Sequence, residues 1–189
     1  MKTIAVENTV YAKLLKLKST VNRIRGTSVT FSKLLEEAIR RPLGPLLIDS
    51  TLMAAVRHLI EQLSQHNSIH GVILFGSVAK GISHAYSDVD LFILAERTDS
   101  ETFDYVEKSA RRTEIEFFDR LAGNKLPAYF APFMCSLEEV GFVRPIFFDI
   151  ADSGIILFDR NLVASDFVDR YTSLPHSRKF TENGEVLTW

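Results

Sequence analysis

Several features that would place this chain in a special class are missing. It has one cysteine, Cys135, so no internal disulfide can form, and a reducing compartment is expected. No stretch approaches the roughly 18 apolar residues that a membrane-spanning helix requires. No charged-then-apolar leader pattern opens the sequence, so the cytoplasm is the expected location. His58, His66 and His70 are not accompanied by a second cluster of Cys or His, which excludes the usual zinc-ligand spacing. There is no internal repeat and no low-complexity segment. What the chain does have is apolar content: 46% hydrophobic residues and 14 Phe in 189 residues, enough for a sizeable core in one or two domains.

Charge is unevenly spread. Residues 1–42 hold nine Lys/Arg against three Glu, a net of +6, while the remainder nets −8. Such a split suggests two functional parts, although a charge run is also what an ordinary solvated face looks like. Thr3 to Val6 reads as a short strand with Ile4 and Val6 on one face. Asn8 or Thr9 can cap a helix with Val10, Leu14, Leu15 and Leu17 inward. A polar loop from Ser19 to Ser28 follows. Thr30 or Ser32 then starts a second helix through Phe31, Leu34, Leu35, Ala38 and Ile39, stopped by Pro42 and Gly44. The expected organisation is a basic strand–helix–helix module at 1–42, a hinge at 43–49, a main domain at 50–160 and a polar, loosely ordered tail at 161–189.

In the main domain, Asp49 or Ser50 caps a helix carrying Leu52, Met53, Val56, Leu59, Ile60 and Leu63. Ser100 to Leu121 has helical spacing through Phe103, Val106, Ala110, Phe117 and Leu121, with Glu114 and Glu116 expected in solvent. Leu126 to Cys135 reads as a strand, Leu137 begins a helix, and Gly154 to Phe158 is a short apolar strand. Alternation of helices and strands gives an α/β (α+β) fold class.

The chemistry concentrates between two of the strands. Gly71-Val72-Ile73-Leu74-Phe75 runs into the turn Gly76-Ser77-Val78-Ala79-Lys80-Gly81, and Ser87-Asp88-Val89-Asp90 runs into Leu91-Phe92-Ile93-Leu94. Side chains two apart on a strand share a face, so Asp88 and Asp90 project together and Val89 points away. Paired carboxylates suit a pair of Mg²⁺ ions, which take oxygen ligands and substrate phosphates. Gly76 lets a phosphate approach the backbone, Ser77 adds a hydroxyl, and helix N–H groups near Ser77 add positive potential. Lys80 beside the turn either neutralises triphosphate charge or is a solvated helix lysine.

GSVAKG with SDVDLFIL resembles the signature of the DNA polymerase β-type nucleotidyltransferase superfamily, in particular its minimal members, over roughly residues 50–160. The resemblance implies a small mixed sheet with flanking helices, and transfer of a nucleoside monophosphate from an NTP to a hydroxyl, with two Mg²⁺ ions and release of pyrophosphate. It makes Asp88 and Asp90 the catalytic metal ligands and Gly76, Ser77, Lys80 and Ser87 nucleotide-binding residues. The acceptor implied is a protein, an RNA end or a small molecule, and the setting a toxin–antitoxin pair with a toxin partner. The opening MKTIAVENTVYAKLLKLK and the later TFSKLLEEAI resemble antitoxin-type ribbon-helix-helix modules, which implies homodimerisation and DNA contact through residues 1–42.

One expected part is absent. Active members usually carry a third carboxylate on a later strand, yet Ala128-Tyr129-Phe130-Ala131-Pro132-Phe133-Met134-Cys135 contains no acid. Asp149 is the nearest later candidate, though a helix or turn contact suits it better. The gap keeps open a second reading, a catalytically weak antitoxin or DNA-binding regulator acting through a partner. A third, a glycosyltransferase holding Mn²⁺ on Asp88-Val89-Asp90, is disfavoured by the phosphate turn upstream.

Overall fold

The computed structural model describes residues 49–181 and 184–188. The expected basic module at 1–42 and most of the hinge, with the DNA and homodimer contacts assigned to that module, lie outside the described residues. Among the described residues no helix is long and apolar enough to cross a membrane.

The elements follow in the order α1 (Ser50–Leu63), β1 (Ile69–Leu74), α2 (Gly76–Lys80), β2 (Asp88–Ala95), α3 (Ser100–Gly123), β3 (Tyr129–Ser136), a 3₁₀ turn (Glu139–Gly141), α4 (Pro145–Ser153), β4 (Ile155–Asp159), α5 (Val163–Ser173), β5 (Ser177–Thr181) and β6 (Gly184–Thr188). The main sheet has the order β3-β2-β1-β4, with β1 antiparallel to both β2 and β4, and β3 parallel to β2. This is the mixed sheet with flanking helices that the sequence resemblance implies. The last two strands form a separate antiparallel hairpin.

Strand periodicity divides the core in two. Val72, Leu74, Val89, Leu91, Ile93 and Phe130 face one side, where they meet α1 and α3 through Leu59, Leu63, Val106, Phe117 and Leu121. Ile73, Phe92, Leu94 and Cys135 face the other, where α4 and α5 supply Phe147, Phe148, Phe167 and Tyr171. Phe92 lies at the centre of that aromatic layer, with ring centroids 4.9 Å from Phe167, 5.5 Å from Phe133 and 5.6 Å from Phe147.

The helix starts are set by carboxylates. Asp49 accepts from the N–H groups of Thr51 and Leu52 at 2.8 and 3.0 Å, and Asp99 accepts from Thr102 N at 2.9 Å. Arg160, just past β4, donates to the carbonyls of Ser64, His66 and Asn67, so one guanidinium ties the end of α1 to the sheet.

Three local expectations change. The helix expected from Leu137 is only the 3₁₀ turn, because Glu139 folds back to accept from Ser136 N, Ser136 Oγ and Arg144, and Pro145 then opens α4 instead. Within the stretch read as a tail, α5 packs Ala164, Phe167, Val168 and Tyr171 into the aromatic layer, its first turn capped by Asp159. Glu114, expected in solvent, is only 13% exposed and accepts from Phe130 N at 2.9 Å. That N–H points away from β2, along the outer edge of β3. Pro132, two residues on, has no N–H to offer there. The edge strand is thus blunted against pairing with another strand.

Candidate active site

The site forms where β1 ends and β2 begins. Gly76 adopts φ +68°, a left-handed conformation that disfavours any side chain. It also sits directly over the acid pair, since a Cβ placed on Gly76 would lie 2.0 Å from Asp90 Oδ2. The turn is held to β2 by Phe75 N donating to Asp90 O at 3.0 Å. The N-cap residue of α2 is Phe75, whose side chain makes no capping hydrogen bond to the backbone N–H groups of the first turn. Gly81, at φ +74°, closes this short helix, with Ile82 N donating to Ser77 O at 3.0 Å.

The alternation inferred for β2 is present. Val89 is buried among α1 and α3, Asp90 is half-buried on the opposite face, and Asp88 at the strand start is exposed. Burial, together with the negative charge of Asp88, raises the carboxyl pKa of Asp90 above its ordinary value. A cation between the two would relieve that repulsion, and the missing Gly76 side chain lets the Asp90 carboxylate lie directly against the turn. The donor set therefore fits a hard divalent cation such as Mg²⁺, with phosphate and water completing its shell. Among the described residues no group of three His, Cys, Asp or Glu converges on a common point.

The remaining candidates take different positions. Ser87 Oγ accepts from His84 N at 3.0 Å, while Ser87 N donates to His84 O at 2.9 Å, so this serine shapes the loop into β2. Tyr86 N donates to His84 Nδ1 at 3.2 Å, and the Tyr86 side chain is exposed. Lys80 donates to both carboxylate oxygens of Asp149, at 2.8 and 3.1 Å. Asp149 is thus a helix residue of α4 joined to Lys80 at the end of α2 by an ion pair 69 positions apart in sequence, a link invisible to local pattern. On β3 the register partner of Asp90 is Ala131 and that of Asp88 is Tyr129, so the neighbouring strand brings no acid to this face.

A glycine turn thus lies over paired carboxylates at the ends of the two central strands of the mixed sheet. Residues 57–128 match the family model described as polymerase beta, nucleotidyltransferase. The matched segment ends one residue before β3, the strand that lacks the third acid.

Over 99 residues, 52% of its length, the chain is 31% identical to MJ1305 of Methanocaldococcus jannaschii, a candidate protein adenylyltransferase, and spans 65% of that relative. Two solved structures are similar at lower identity. One is the complex of tri-AMPylated Shewanella oneidensis HEPN toxin with MNT antitoxin, at 15% identity and a TM-score of 0.40, covering 64% of this chain and 83% of that one. The other is a toxin–antitoxin structure with AMP-PNP, at 17% identity and a TM-score of 0.42, with coverages of 64% and 83%.

Proposed function

We propose that this protein transfers a nucleoside monophosphate from an NTP to a hydroxyl acceptor. The observation that carries the reading is the placement of the Gly76 turn over Asp90, where even a methyl group would collide with the carboxylate. In this reading the turn and Ser77 hold the β- and γ-phosphates. The acceptor oxygen forms a bond to the α-phosphorus as the bond from that phosphorus to the bridging oxygen breaks. Pyrophosphate leaves and the hydroxyl proton passes to water.

Asp88 and Asp90 would hold two Mg²⁺ ions, which when bound neutralise phosphate charge and raise the acidity of the acceptor hydroxyl. The chain's own contribution is positioning. Val89 anchors β2 in the core so that its flanking carboxylates keep a fixed direction, and the hydrogen bond from Phe75 N to Asp90 O fixes the turn above them. Lys80 lies beside the turn, its charge shared with Asp149, and Ser87 orders the loop on the far side of the pair. The name of the relative favours ATP as donor and a protein as acceptor, and an antitoxin role directed at a toxin partner is the setting that the sequence resemblance implies.

The test is pyrophosphate release from ATP in Mg²⁺, supplied with protein from the source cells. Release should depend on both Asp88 and Asp90, and equal release by Asp88→Asn or Asp90→Asn would sink the assignment. A second reading follows from Ala131 standing beside Asp90 where no third acid is supplied. In it the domain binds the nucleotide and a partner with little turnover. Saturable Mg²⁺-dependent ATP binding without pyrophosphate release would favour that reading.

A further inference from the structure

Lys80 ends the short helix that Gly76 opens. Because α2 spans only Gly76–Lys80, its two ends lie about 6 Å apart along the axis. Side chains on a helix tilt toward its N-terminus, so the lysine stem leans back toward the Gly76 turn. Gly76 itself lies against the Asp90 carboxylate. A long, flexible stem thus carries one positive charge beside the turn, and what fixes that charge is Asp149.

Asp149 is mounted on a rigid element. Its neighbours Phe147, Phe148, Ile150 and Ala151 are fully buried, which sets the position of α4 against the sheet. Phe147 stacks 5.6 Å from Phe92, two residues along β2 from Asp90, so α4 covers the sheet face to which the acid pair belongs. Both carboxylate oxygens of Asp149 accept from Lys80 Nζ, at 2.8 and 3.1 Å. The two side chains are 37% and 29% exposed, and an ion pair this open to solvent adds little to stability. Its main consequence is where it holds the ammonium.

That placement has a chemical use. An ammonium carries three N–H donors, and the two oxygens of Asp149 engage two of them, which leaves a third for a phosphate oxygen. Ordering a lysine side chain at the moment of binding costs affinity, and a stem already held in place avoids that cost. Among the described residues no three acids converge, so Asp149 does not join Asp88 and Asp90 as a metal ligand.

We propose that Asp149 is a positioning residue for nucleotide binding, holding the Lys80 ammonium at the Gly76 turn to receive the β- and γ-phosphates of the NTP. The proposal rests on the nucleotidyl-transfer reading and adds to its site a residue from outside the strand–turn–strand segment. Asp149 touches no phosphate and acts only through Lys80. Repulsion between its carboxylate and the triphosphate works in the other direction. The ammonium stands between the two anions, and solvent around the partly exposed pair screens what remains, so orientation outweighs repulsion.

The experiment measures calorimetric affinities for ATP and for inorganic tripolyphosphate, each with Mg²⁺, on the full chain. Wild type is compared with Asp149→Asn, Asp149→Ala, Lys80→Met and the double variants Lys80→Met/Asp149→Asn and Lys80→Met/Asp149→Ala, and thermal unfolding shows which are folded. Two substitutions at Asp149 keep the test available if one of them does not fold. Each folded Asp149 variant should bind both ligands about fivefold more weakly than wild type. In the Lys80→Met background the same substitution should change nothing further. Unchanged or tighter binding in the Asp149 variants overturns the positioning role alone. So does an equal loss in the Lys80→Met background, which would make Asp149 a structural residue, and so does a loss confined to ATP with tripolyphosphate unaffected. Wild type that binds neither ligand overturns the nucleotidyl-transfer reading and the positioning role with it.

Discussion

The two faces of the central sheet are built from the same strands and serve different ends. On the α1–α3 side, Val72 and Leu74 of β1 and Val89, Leu91 and Ile93 of β2 are aliphatic and buried against the helices. On the α4–α5 side, Ile73, Phe92 and Leu94 begin an aromatic layer, but the strand end carries Asp90 and Asp88 in place of apolar side chains. One strand thus anchors itself with its odd-numbered positions and presents carboxylates with two of its even-numbered ones. The contrast shows how a site gains rigidity without being buried: the residue between the two acids is held in a dry core.

The contrast is most sensitive in the aromatic layer. Phe92→Ala removes a fully buried ring two residues from Asp90 and should cost about 3–5 kcal/mol in chemical denaturation, among the largest single effects available. A change below about 1 kcal/mol would mean the layer is loosely packed.

Next in size is the roof of the site. Gly76→Ala forces a methyl group to within 2.0 Å of Asp90 Oδ2 and strains a residue at φ +68°. A displacement of about 1 Å at reacting groups can cost about 10²-fold, so nucleotidyl transfer should fall at least that far. Its thermal unfolding should show a smaller change, about 1–2 kcal/mol.

Arg160→Ala probes the opposite end of the sheet. It deletes three hydrogen bonds to carbonyls after α1 and should destabilise by about 2 kcal/mol, with Mg²⁺–ATP affinity unaltered. Lys80→Met should have less effect on stability, under about 1 kcal/mol, because its ion pair with Asp149 is partly exposed. Its larger consequence should be weaker ATP binding, read by calorimetry.

The smallest effect is a pH dependence. The carboxyl of Asp90 is raised above its ordinary value by burial and by Asp88, so the folded state holds that proton more tightly than the unfolded state. Its contribution to stability is therefore full below the ordinary carboxylate value and is lost as pH rises through the raised folded value. In chelator, Asp90→Asn should be the more stable protein at neutral pH, and the difference should vanish in acid. A wild type more stable than the variant at neutral pH would contradict the assigned cause.

Much of this was legible because it is periodic or continuously apolar. Gly71-Val72-Ile73-Leu74-Phe75 lacks the strict alternation of a half-exposed strand, and its unbroken apolar character reflects burial on both faces. The acid pair on the next strand follows from alternation alone. The helix α3 was visible through Val106, Ala110, Phe117 and Leu121 at helical spacing. Helix α5 carried an equal signal, Ala164, Phe167, Val168 and Tyr171, which the polar residues between them obscured. Other features could not be read locally. Glu114 reaches a backbone N–H on β3 and Lys80 reaches Asp149 only because distant segments pack together. The absence of an acid beside Asp90 was visible in composition, but its place at Ala131 required the parallel register of β2 and β3.

The central claim is that Asp88 and Asp90 beneath the Gly76 turn form a nucleotidyl-transfer site. The most direct measurement is transfer of label from α-³²P ATP to protein, with Mg²⁺, by wild type and by the single variants Asp88→Asn and Asp90→Asn, each shown by circular dichroism to be folded. Wild type should give a labelled product, with a loss of at least about 10²-fold in each variant. Equal labelling by wild type and either variant would contradict the claim.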